Sequence, residues 1–74
     1  MIDGTAMFFD SEQGWGLITA DALPEGEPAW VHFSVIEMDG YRELSIGQPV
    51  TFEYEKADQD GYHYRATRVL PGSG

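Results

Sequence analysis

Trp15 and Leu17 stand two apart in Gln13-Gly14-Trp15-Gly16-Leu17-Ile18-Thr19, and Trp30 and His32 stand two apart in Ala29-Trp30-Val31-His32-Phe33. In an extended strand, residues two apart share a face. The first stretch therefore sets Trp15 and Leu17 on one side and Ile18 on the other, and the second sets Trp30 and His32 opposite Val31. The chemistry open to such rings is stacking on unpaired bases, which makes and breaks no bonds. A catalytic reading would need a nucleophile, a base and an orienting group together. Ser34, two residues after His32, matches no nucleophile-elbow motif. His32 and His63 are the only histidines and there is no Cys, so the usual zinc-ligand spacings are absent. No catalytic residue, metal or cofactor is expected, and the chain reads as a binding protein rather than an enzyme.

The elements that must hold these rings are short strands. Thr5-Ala6-Met7-Phe8-Phe9 is an apolar run ended by Asp10-Ser11-Glu12, and predicts a first strand and a polar turn. The glycine-rich stretch predicts a second strand over 15–20. Asp21 to Glu27 is an acidic loop with Pro24 and Gly26, and residues 29–33 predict a third strand. A short helical turn near Ser34 to Glu37 precedes a long loop through Asp39-Gly40-Tyr41. Val50, Phe52 and Tyr54 alternate with Thr51, Glu53 and Glu55, the pattern of a half-buried fourth strand. Asp60-Gly61 is a hairpin signal, followed by a fifth strand over 62–70. The result is all-β: one small five-stranded antiparallel barrel over residues 1–70, with 71–74 as a flexible tail. Strand alternation alone does not say which face is inward. Trp15 and Trp30 could fill the core. Ile18 and Val31 suit the core better, and a buried His32 would need a partner, which favours rings facing out.

Four Lys and Arg against thirteen Asp and Glu give a formal charge of −9. All four cations, Arg42, Lys56, Arg65 and Arg68, lie after residue 41. Such a field repels a polyanion at long range. An acidic surface also aids solubility without any bearing on partners. No apolar run is long enough to span a membrane. Met1-Ile2-Asp3-Gly4 lacks the basic and apolar regions of a signal peptide, so a cytoplasmic location is expected.

Gly14-Trp15-Gly16-Leu17-Ile18 and Trp30-Val31-His32-Phe33-Ser34 resemble the two ribonucleoprotein-type motifs of bacterial cold-shock proteins. Asp39-Gly40-Tyr41, the Gly47-Gln48 turn and the spacing from Ala66 to Val69 match as well, so the resemblance covers about residues 4–70. It implies a Greek-key barrel of the oligonucleotide-binding class (OB-fold) that binds single-stranded RNA or DNA with little sequence selectivity. Carried over by position, the stacking residues would be Phe8, Trp15, Trp30, His32 and Phe33, with Phe9 and Tyr41 peripheral; Leu17 stands where the family usually has Phe. Met7 and Gln13 replace the family's usual lysines, so rings are kept while cations beside them are lost.

The expected action is that of an RNA chaperone or cold-shock regulator that holds strands open without ATP. Two other readings fit the charge. In one, the barrel has lost nucleic-acid binding and its aromatic patch docks a basic protein. In the other, the acidity is adaptation to high salt, where screening removes the repulsion. A monomer is expected, although the long central connection permits a strand-exchanged dimer.

Overall fold

The computed structural model describes residues 1–38 and 43–72. Five strands, β1 (Ile2–Asp10), β2 (Trp15–Thr19), β3 (Ala29–His32), β4 (Pro49–Gln59) and β5 (Tyr62–Pro71), close into a barrel in the order β1-β2-β3-β5-β4. Closure leaves the sheet without a free edge. Four junctions are antiparallel. The fifth, β3 against β5, is parallel, with Ala29 opposite Tyr64 and Trp30 opposite Arg65. Alternation within a strand carries no record of partner direction, so this seam was not to be read from the sequence.

The inward faces supply Ala6, Ile18, Ala29, Val31, Val50, Phe52, Ala66 and Val69, each buried. Leu23 from the β2–β3 loop, Ile36, and Leu44 from the long connection complete the core. Removing each of the larger side chains from water contributes about 1.5–3 kcal/mol. No charged or polar residue is buried among the described residues.

Two irregularities decide which residues face outward. β1 bulges at Met7: Ala6 pairs with Ile18, but Phe8 pairs with Leu17. The extra residue turns Phe8 away from the core face that Ala6 occupies. The Ala6 backbone is held instead by the Gly47-Gln48 turn, donating to the Gln48 carbonyl and accepting from the Gly47 N–H. β3 ends at His32, and a single 3₁₀ turn (Phe33–Val35) follows, leading to Ile36, which bridges Val69.

Strand boundaries differ from the sequence expectation in the direction that ladder bonding explains. β1 starts at Ile2, where it pairs with β4. β5 continues through Pro71, and the Gly72 N–H donates to the Pro49 carbonyl at 2.8 Å. Pro71 and Gly72 are thus bonded to β4, and Ser73 and Gly74 lie outside the described residues. At the β4–β5 hairpin, Asp60 and Gly61 both take positive φ, 51° and 87°, as a two-residue turn between right-twisted strands requires.

Candidate nucleic-acid interface

The outward faces of β1, β2 and β3 bring the rings together. Asp10 stands opposite Trp15, and Trp15 opposite His32, across three strands. One rung along, Phe8 is opposite Leu17 and Leu17 opposite Trp30. Phe8 and Trp15 have ring centroids 5.1 Å apart. Trp30 and His32 lie 5.9 Å apart with their planes only 19° from parallel. His32 and Phe33 follow at 4.5 Å. The 3₁₀ turn re-aims Phe33, which simple alternation would point inward, and leaves it 43% exposed.

Local bonding fixes the platform. The Asp10 carboxylate accepts the Glu12 and Gln13 backbone N–H groups, and its carbonyl accepts the Gly14 N–H at 2.7 Å. This charge is therefore spent on the turn that precedes Trp15. Gly14 has φ +78°, and its carbonyl accepts the Phe33 N–H at 2.8 Å. Gly16 is needed for close approach: a Cβ there would lie 2.6 Å from the Phe9 ring. The Trp15 indole N–H donates to the Gln13 side chain at 3.3 Å. His32 Nδ1 accepts the Ser34 N–H at 3.3 Å, with the Ser34 hydroxyl 2.8 Å away. An acceptor at Nδ1 places the proton of the neutral ring on Nε2.

Not every sequence candidate reaches the surface. Leu17 shares the outward face but is only 9% exposed, covered between Phe8 and Trp30. It is a floor beneath the rings. Phe9 is half-buried and packs against the core, for which the Met7 bulge is responsible. Tyr41 lies outside the described residues. Sequence reasoning missed Tyr62, whose ring centroid is 6.4 Å from that of Trp15. The hairpin signal at Asp60-Gly61 places Tyr62 at the start of β5, but nothing in the sequence says that this end of β5 reaches β2.

Both described arginines are paired with carboxylates. Arg65 donates through Nε and Nη2 to Glu55, and Arg68 donates to Glu37. The hydrogen bond and charge of Glu37, with a lesser contribution from Glu53, raise the Arg68 pKa above its ordinary value. His63 contacts Glu27, tying the β2–β3 loop to the β4–β5 hairpin. Ser11 donates to Glu43 at 2.6 Å. Among the described residues no group of three or more His, Cys, Asp or Glu could hold a metal ion, and no helix is long and apolar enough to cross a membrane.

The profile of the 'Cold-shock' DNA-binding domain matches residues 2–70. Cold shock protein 1 of Lactiplantibacillus plantarum is 41% identical over 71 residues, covering 96% of this chain and 98% of the relative. Cold shock-like protein CspD of Vibrio cholerae is 41% identical over 76 aligned positions, covering 100% of this chain and 91% of the relative. A cold shock-like protein of Thermotoga maritima is 45% identical over 53 residues, 72% of this chain and 76% of the relative. With a five-stranded closed barrel and these matches along nearly its whole length, the chain belongs to the cold-shock domain family.

Proposed function

We propose that this protein binds single-stranded RNA or DNA by stacking bases on the rings of Phe8, Trp15, Trp30, His32 and Phe33, and that it holds such strands open. The cold-shock family binds single-stranded nucleic acid and is not a family of enzymes. The observation that carries the finer reading is the run of rings on one outward face, spaced 4.5–5.9 Å within each group and joined across the Trp15–His32 rung. Each base stacked on an aromatic ring contributes about 1–3 kcal/mol by truncation.

Electrostatics adds little. Both described arginines are already held by carboxylates, and the chain carries −9. Binding is therefore micromolar or weaker, with a shallow salt dependence. Titration with oligo-dT and oligo-U, followed by tryptophan fluorescence at several salt concentrations, tests this. The expected result is quenching, with a slope of log K against log salt no steeper than about two phosphate contacts at roughly −0.7 each. A slope matching many phosphate contacts overturns the electrostatic half of the reading. Quenching that strengthens with salt fits relief of the −9 field. No quenching overturns the stacking half and favours a basic protein partner, for which the exposed Phe33, Met7 and Ile46 side chains offer apolar contact.

A further inference from the structure

One row of register partners crosses all five strands: Phe8, Leu17, Trp30, Arg65, Glu55. Ladder partners project from the same face of a sheet. The parallel seam thus brings Arg65, from the far end of the chain, onto the outward face beside Trp30. It is a guanidinium at the edge of the ring surface, where a strand laid across the rings would carry its phosphates. Yet each of its three nitrogens already has a partner. Nε and Nη2 both reach Glu55 Oε2, and Nη1 points to Gln59 Oε1 at 3.5 Å. Glu55 stands directly opposite Arg65, between two register shifts in the β4–β5 ladder that set its place.

We infer that Glu55 occupies the position of a backbone phosphate on Arg65, and that this internal carboxylate sets how much of a strand's binding comes from its phosphates. The inference rests on the stacking reading above. A carboxylate and a phosphodiester offer the same fork of donors the same kind of oxygen. The pair is exposed, with side chains 42% and 46% accessible, so it is weak enough to open when a phosphate competes. Among the described residues Lys56 is the one Lys or Arg with no ion pair, and the other described guanidinium, that of Arg68, is held by Glu37. The consequence is selectivity: strands are held chiefly by their bases, and a strand with an uncharged backbone loses little by lacking phosphates.

The test is Glu55→Gln, which keeps the side-chain length and removes the charge. The control is Asp58→Asn, which removes one negative charge from the same strand without touching Arg65. Each is titrated by tryptophan fluorescence with oligo-dT and with a thymine oligomer on an uncharged peptide backbone. For oligo-dT, Glu55→Gln is expected to tighten binding about three- to tenfold and to steepen the salt slope by roughly 0.7, the share of one single-strand phosphate contact. Asp58→Asn should change oligo-dT binding less than about twofold, as expected of a general field effect at a distance. Neither substitution should alter binding of the uncharged oligomer. Equal gains from both substitutions, or an equal gain on both oligomers, would overturn the inference while leaving the stacking reading intact. If the unaltered protein quenches with neither oligomer, the stacking reading fails and the inference falls with it.

Discussion

The ring of Phe33 lies over Gly14: a Cβ added there would sit 2.7 Å from Phe33 Cδ1, while the Phe33 N–H donates to the Gly14 carbonyl. One ring of the platform thus rests on the turn that launches another, Trp15. Gly14→Ala meets both the ring and a left-handed backbone, the latter costing about 1–2 kcal/mol. Chemical denaturation should show a loss of at least that size. Oligo-dT affinity should fall as well, because Phe33 must move. A variant as stable as the parent would mean that φ at residue 14 is not left-handed in solution.

Stability and binding should separate cleanly by face. Trp30→Ala removes a ring from the surface and is expected to cost about 1–3 kcal/mol of binding, roughly 5- to 150-fold in affinity, with a smaller effect on unfolding. Ile18→Val, on the inward face, should lower stability by about 0.5–1.5 kcal/mol and leave affinity unchanged. Paired denaturation and fluorescence titration of the two variants checks this. The opposite assignment of effects would place Trp30 in the core.

How far this division is legible without coordinates depends on local regularity. β2 and β3 pair without a register shift, so Ile18 and Val31 opposite Trp15 and Trp30 favour rings facing out, although Leu17 on the ring face is covered too. The Val50–Phe52 alternation and the Asp60-Gly61 turn are equally plain. Legibility stops where the period breaks. Phe8 faces out only because Met7 is an extra residue, and Phe33 only because the chain coils after His32. Tyr54 shares the face of Phe52, yet it is at the barrel rim, exposed and edge-on to Tyr64. Tyr62 beside Trp15, and Arg65 beside Trp30, come from pairing between distant segments, which no local pattern encodes.

A binder of unpaired bases shifts a hairpin toward its open form by mass action alone. A small RNA hairpin carrying a fluorophore and a quencher at its ends should brighten as protein is added, without ATP. The effect should saturate at the affinity measured with oligo-U, offset by the hairpin's own stability. A hairpin that stays dark at protein concentrations saturating oligo-U would limit the protein to strands that are already open.

The ladder joining β3 to β5 has two rungs, against five between β1 and β2, and it unites opposite halves of the polypeptide. A chain emerging from the ribosome can therefore lay out β1, β2 and β3, with most of their aromatic surface, before the segment bearing Arg65 exists. In the finished molecule the seam runs on past the 3₁₀ turn, where Ile36 bridges Val69 and the Glu37 N–H donates to the Val69 carbonyl.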